Sequence, residues 1–224
     1  MAHPTPPRLY CAPVEFRYVA VEGPVGAGKT ALAERLAARL DGGLVLDEGD
    51  NPFLADFHAG RAGAAFQAQL FFLLARHRQQ LRLRQTDLFS QATITDYLFE
   101  KDRIYAYLNL DDNELFVYQR LYELLAPDVA APDVVVYLQA PTAVLRRRLR
   151  ERARRDPGFA PPGDDYLREL NEAYTHFFFH YEATPLLVVE TAEIEPIWSD
   201  ALVEDLIGQL REMTGGTRYY VPRG

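Results

Sequence analysis

VEGPVGAGKT, residues 21–30, brings three glycines, a lysine and a threonine together directly after the apolar run Tyr18-Val19-Ala20-Val21. From Gly23 to Thr30 it matches the phosphate-loop spacing G-x-x-x-x-G-K-[ST], which requires a strand before it and a helix after it. Both are present, since residues 28–40 carry a helical period. Glycines let backbone N–H groups turn inward around an anion, and the helix N-terminus adds a favourable dipole. Gly23, Gly26, Ala27, Gly28, Lys29 and Thr30 are therefore read as the cradle of a nucleotide, holding the β and γ phosphates of ATP. Lys29 supplies a point charge there, and the Thr30 hydroxyl is offered to Mg2+.

Outward from this loop, short β-rich runs alternate with longer segments of helical period. FRYVAVE, GLVLDE, ATITDY, DVVVYLQA and PLLVVET are the strands; the helical segments are 28–40, 51–83, 100–126, 141–154, 164–181 and 196–213. Such alternation predicts an α/β fold, a five-stranded parallel sheet with helices on both faces. Residues 1–15 and 214–224 lack any period and read as tails around one domain at 16–213. A chain of 224 residues, 48% of them apolar, buries one sizeable core. Its 24 basic and 32 acidic residues leave a net charge of −8, which argues against nucleic-acid and anionic-membrane partners and favours a small molecule. The single cysteine, Cys11, forms no internal disulfide, no long apolar run or signal peptide is evident, and the reading is cytoplasmic.

A phosphate loop needs a carboxylate near its magnesium, usually at the end of a neighbouring strand. The run Ala92-Thr93-Ile94-Thr95 ends in Asp96, which is assigned that place, leaving Asp47 and Glu48 after Leu44-Val45-Leu46 for a second task. Gln69 and Arg76 lie seven residues apart on the helix read at 62–83 and so share a face. Seven arginines fill ten positions from Arg146 to Arg155; Arg146, Arg147 and Arg150 read as a solvated face, whereas Arg148 and Arg152 share another. The DPGFAPPGDD segment after them cannot continue a helix and suits a mobile lid tip. His176 and His180 have a spacing that can bind zinc, but no third ligand is evident and the flanking phenylalanines suggest packing or a dimer surface.

Five separated stretches together resemble the deoxynucleoside kinase family, on its bacterial deoxyadenosine and deoxyguanosine kinase branch. They are EGPVGAGKT at 22–30, DEGDNPFLADF at 47–57, FQAQLFFLLARHRQQL at 66–81, TDYLFEKDRIYA at 95–106, and RLRERARR at 148–155 with DYLRELNEAY at 165–174. The resemblance implies a P-loop kinase fold, transfer of the ATP γ-phosphoryl to the 5′-hydroxyl of a deoxynucleoside, a purine one on this branch, and a homodimer. It further implies that an acid closing the second strand is the general base. Glu48 is the best match, with Asp47 the close alternative because this chain is one residue shorter before the Asn-Pro pair. Lys29, Arg152 and Arg154 join it as catalytic residues, and Arg148 belongs with the arginines that close on the phosphates. Gln69, Arg76 and Asp102 correspond to base contacts, with Phe66 stacking nearby. His58 stands at the tyrosine position of the sugar site, and the sugar acid is Asp156 or Asp165, because the expected place holds Pro157. Tyr97 follows Asp96 where many relatives have arginine, so one cation is missing from its usual place. A thymidylate-type monophosphate kinase and a non-catalytic nucleotide-binding protein are the rival readings.

Overall fold

The computed structural model describes residues 16–86, 92–194 and 198–222. Its elements in chain order are β1 (Tyr18–Glu22), α1 (Lys29–Leu40), β2 (Gly43–Val45), α2 (Leu54–His58), α3 (Ala64–Thr86), β3 (Thr93–Thr95) and α4 (Lys101–Asn109). There follow α5 (Asp112–Leu125), β4 (Val134–Gln139), α6 (Thr142–Arg155), α7 (Asp164–Phe179), β5 (Leu186–Glu190), α8 (Asp200–Arg211) and β6 (Thr217–Tyr220). The strands form one sheet in the order β2-β3-β1-β4-β5-β6, and every pairing is parallel.

The two faces of the sheet follow from the period of a strand, in which successive side chains point to opposite sides. Val19, Val21, Val134, Val136, Leu187 and Val189 pack on one side with Leu32 and Leu36 of α1, Leu145 of α6 and Leu206 of α8. The alternate residues Ala20, Val135, Tyr137, Leu186 and Val188 pack on the other side with Ile104 of α4 and with Leu170, Tyr174 and Phe178 of α7. Each such buried aliphatic or aromatic side chain contributes about 1.5–3 kcal/mol. A smaller cluster, Leu73, Phe99, Ala106 and Tyr118, joins α3 and α4 to α5.

Three expectations are corrected. The sheet has six strands rather than five, because Thr217–Tyr220, inside the expected C-terminal tail, pairs with β5 and packs Tyr220 against the core. This strand is a short edge whose residues alternate between exposed and half-buried, so it lacks the apolar run that marked the others. The helical segment 51–83 is two helices separated around Gly60 and Gly63, poor helix-interior residues. The segment 100–126 also divides, since Asp111 caps a new helix: its carboxylate accepts the Asn113 and Glu114 N–H groups while Glu114 reaches back to the Asp111 N–H. The expected N-terminal tail and Cys11 lie outside the described residues.

Parallel strands place their carboxyl ends on one edge of the sheet, where ligands of open α/β sheets bind. The phosphate loop follows β1, Asp47 follows β2 and Asp96 follows β3, so three distant stretches converge there.

Candidate active site

The phosphate loop runs from the end of β1 into α1. A side chain at Gly23 would place its Cβ 2.6 Å from the Leu138 carbonyl oxygen, so only glycine allows β1 and β4 this approach. Gly28 caps α1 in the left-handed region at φ 96° and turns the backbone into the helix. Lys29 Nζ donates to the Gly23 carbonyl at 2.6 Å, which holds the ammonium at the rim of the loop. Burial pulls its pKa below the usual lysine value, opposed by the charge of Glu22 and, beyond it, Asp96 and Asp47.

Beside the loop, the Thr30 hydroxyl donates to Asp96 Oδ2 at 2.5 Å, and Asp96 Oδ1 accepts the Asp47 backbone N–H at 2.6 Å. A hydroxyl and a carboxylate side by side are hard oxygen donors that suit Mg2+, an ion that keeps much of its water and is held by one or two protein groups with substrate phosphates.

Asp47 and Glu48 separate sharply. Glu48 is exposed, whereas the Asp47 side chain is only 22% exposed and is gripped from two helices. Arg76 of α3 binds it with Nε to Oδ1 at 2.9 Å and Nη2 to Oδ2 at 3.0 Å, and Lys101 of α4 adds Nζ to Oδ2 at 2.7 Å. Gln79, one turn beyond Arg76, donates to the Leu46 carbonyl at 3.0 Å and fixes the backbone just before the acid. Burial alone would raise the Asp47 pKa, but the Lys101 and Arg76 charges and their hydrogen bonds outweigh it and hold the carboxyl well below the usual range. The sequence ranked Glu48 ahead as the general base; consecutive residues beyond a strand diverge, and here it is Asp47 that turns inward while Glu48 faces outward.

Arg76 also reaches Asp102 Oδ1, while the Tyr118 hydroxyl donates to Asp102 Oδ2 at 2.7 Å. Asp102 is fully buried, and burial raises its pKa against the opposing charge of Arg76 and these hydrogen bonds. Gln69 Nε2 donates to the Asp102 backbone carbonyl at 3.0 Å. Gln69, Arg76 and Asp102, grouped by the family resemblance, are thus in contact.

Gln69 and Arg76, with Asp102 buried behind them, border a cavity of about 600 Å³, room for a nucleoside, between α2, α3, α4, the segment 159–163 and the start of α7. Ala65, Ala68, Gln69, Phe72 and Arg76 line it at the three- and four-residue spacing of one face of α3. Phe66, expected to stack on the base, falls off that face and packs with the cluster around Tyr118, and Phe72 is the aromatic of α3 on the lining face. His58 lines the cavity. Asp165 does not: its side chain is 87% exposed and pairs with Arg168 at 3.1 Å. Asp156 is also exposed and accepts the Gly158 N–H at 3.1 Å, shaping the turn after α6.

The arginines of α6 divide between faces. Arg152 stacks its guanidinium 4.1 Å from the Phe159 ring centroid, at the lip of the cavity. Arg154, two residues on, lies on the outer face with Arg146, Arg147 and Arg150. Arg148 is buried and donates to the Thr191 and Ile194 carbonyls, so it ties α6 to the segment after β5.

Two residues of the site escaped sequence reading. Glu22, fully buried at the end of β1, accepts the Gly23 and Leu98 N–H groups, both at 2.8 Å, and the Tyr174 hydroxyl at 3.2 Å. Lys101 is also buried, and its only legible signal was a charge one residue before Asp102.

A lysine-bearing phosphate loop one side chain away from a largely apolar cleft with a few polar groups at one end defines a phosphotransferase of the phosphate-loop class. The family model described as deoxynucleoside kinase matches residues 19–214, and the chain belongs to that family. It is 34% identical over 183 residues to a deoxyguanosine kinase of Bacillus subtilis (strain 168), covering 79% of this chain and 86% of that one. It is 31% identical over 173 residues to a deoxyadenosine kinase of Dictyostelium discoideum, covering 73% and 67%. Among solved structures, the deoxyadenosine kinase from M. mycoides with products dCMP and a flexible dCDP bound superposes with a TM-score of 0.72 at 22% identity, over 88% of this chain and all of that one.

Proposed function

We propose that the protein transfers the γ-phosphoryl group of ATP to the 5′-hydroxyl of a purine deoxynucleoside, with Asp47 accepting the hydroxyl proton. The observation that carries this reading is the double attachment of Asp47. Its backbone N–H binds Asp96 on the metal side, and its carboxylate binds Arg76, which lines the nucleoside-sized cavity. A 5′-hydroxyl beside Asp47 would therefore face the phosphate loop. The hydroxyl oxygen forms a bond to phosphorus as the bond to the ADP oxygen breaks and its electron pair leaves with ADP; the proton passes to Asp47. The loop N–H groups and Lys29 hold the phosphates, and Arg152 stands at the lip to close over them. Mg2+, held by Thr30 and Asp96, would neutralise phosphate charge.

Gln69 and Arg76 supply the polar edge for the base, with Asp102 fixed behind Arg76, and Phe72 a stacking face, and the relatives named for deoxyguanosine and deoxyadenosine support a purine. His58 is within the same cavity for the sugar. A monophosphate acceptor fits less well, because the two described cations that line the cavity next to Asp47, Arg76 and Lys101, are already bound to carboxylates. A homodimer through α4 and α7 and a cytoplasmic setting, where ATP is available, complete the proposal.

ADP release measured with ATP, Mg2+ and a panel of nucleosides and nucleoside monophosphates tests it. Turnover with deoxyadenosine or deoxyguanosine at the highest kcat/KM is expected. Turnover with monophosphates alone, or with no acceptor, contradicts it.

A further inference from the structure

Lys101 stands in a place that stability alone disfavours. It is the first residue of α4, where the positive end of the helix dipole opposes a cation, and its side chain is only 5% exposed, so water does not solvate the charge. Its compensation is two acids: Asp47 Oδ2 at 2.7 Å and Glu22 Oε2 at 3.9 Å. Glu22 is fixed by two backbone N–H groups and the Tyr174 hydroxyl. Asp47 is held on its other side by Arg76. Lys101 therefore fills the gap between an immobile carboxylate of β1 and the inward acid after β2, and it borders the cavity as well.

The position also lies near the phosphate loop: Glu22, 3.9 Å from the ammonium, accepts the loop's Gly23 N–H, and Val25 of the loop lines the same cavity as Lys101. Burial lowers the Lys29 pKa most, and among charged neighbours that of Lys101 pushes it further down, so the two ammonium groups act on each other across the site. For Lys101 itself, burial is outweighed by Asp47 and Glu22, and the net shift is upward, which keeps it protonated at neutral pH.

We propose that Lys101 is a positioning residue for phosphoryl transfer: it orients Asp47 toward the 5′-hydroxyl and lends its ammonium to the phosphoryl oxygens as the Asp47 charge is neutralised. The inference rests on the reading of Asp47 as proton acceptor. In the step, the 5′-hydroxyl proton moves to an Asp47 carboxylate oxygen, the oxygen–phosphorus bond forms, and ADP leaves with the electron pair of the broken bond. Lys101 keeps all its protons throughout. Asp47 loses its negative charge at the moment the transferring group gathers charge, so the ammonium gains a new electrostatic partner without moving far.

Lys101→Met, of similar length and without charge, tests this beside Lys101→Arg. Lys101→Met should lower kcat by about 10²–10³, the scale of losing one preorganised donor, with nucleoside affinity by direct binding within about 3-fold. Lys101→Arg should keep kcat within about 10-fold, because the charge and a donor remain. Lys101→Gln, which retains a donor toward Asp47 but no charge, is the second uncharged variant and should match the methionine. Wild-type kcat in either folded uncharged variant, equal losses for arginine and methionine, or a loss confined to nucleoside binding overturns the assignment. Failure of both uncharged variants to fold makes Lys101 structural and overturns it too. A wild-type enzyme that phosphorylates no nucleoside would instead sink the underlying reading.

Discussion

Asp47 and Glu48 are chain neighbours in opposite environments, one bound by two cations and the other exposed. Kinetics should divide the same way: Asp47→Asn is expected to lower kcat by about 10²–10⁴, the range for a lost general base. Glu48→Gln should leave kcat within about 3-fold, as for a surface substitution away from the chemistry. Steady-state turnover of both variants checks this, and a reversed order would return the role to Glu48. The phosphate loop and Asp96 were legible in the sequence because each carries a local signature, a spacing or a strand end; Gln69 and Arg76 shared a helix face, but they and Asp102 were marked out only by the family resemblance. The choice between Asp47 and Glu48 was not, since it depends on how a loop of altered length leaves β2. Phe72 was available to the same face argument that paired Gln69 with Arg76, and Phe66 lies outside that face. Lys101 was hidden because its partners, Asp47 and Glu22, are distant in the chain.

Among the elements, α4 links the inward acid after β2 to the buried polar cluster under the cavity. It carries Lys101 and Asp102 side by side, and α5 braces it through the Tyr118 hydroxyl on Asp102 Oδ2. Tyr118→Phe removes that donor and leaves a buried carboxylate oxygen short of a partner, at a cost of about 1–3 kcal/mol. Thermal unfolding should fall by about 2–4 °C for each kcal/mol in a domain of this size. An unchanged melting temperature would mean that the hydroxyl does not support Asp102. The division of 51–83 and 100–126 into helix pairs was only partly readable: the Asp111 capping box is a local signal, yet the apolar period runs across it. The faces of α6 were readable for Arg146, Arg147 and Arg150, whereas the backbone partners of Arg148 come from the segment after β5 and are invisible locally.

For the whole molecule, alternating runs gave the parallel sheet and its central strands because these are buried on both faces, and the edge strand β6 was missed because it is not. Ile104, Tyr107 and Leu108 of α4 and Phe177 of α7 line an apolar groove of about 700 Å³, with Tyr107 53% exposed at its rim and Phe179 76% exposed at the end of α7. The His176 and His180 rings, 4.6 Å apart, border the same groove, and among the described residues no group of three metal-ligating side chains occurs. If a second copy covers this face, sedimentation should give twice the chain mass, and Tyr107→Glu, which buries a charge there, should shift it to the monomer. A wild-type monomer would contradict the dimer. The bond made in the proposed transfer is observed directly by ³¹P NMR of the wild-type protein with ATP, Mg2+ and deoxyadenosine or deoxyguanosine. A deoxynucleoside 5′-monophosphate resonance growing one-for-one with ADP is expected; ADP appearing only with inorganic phosphate, or no reaction with either nucleoside, would overturn the proposed transfer.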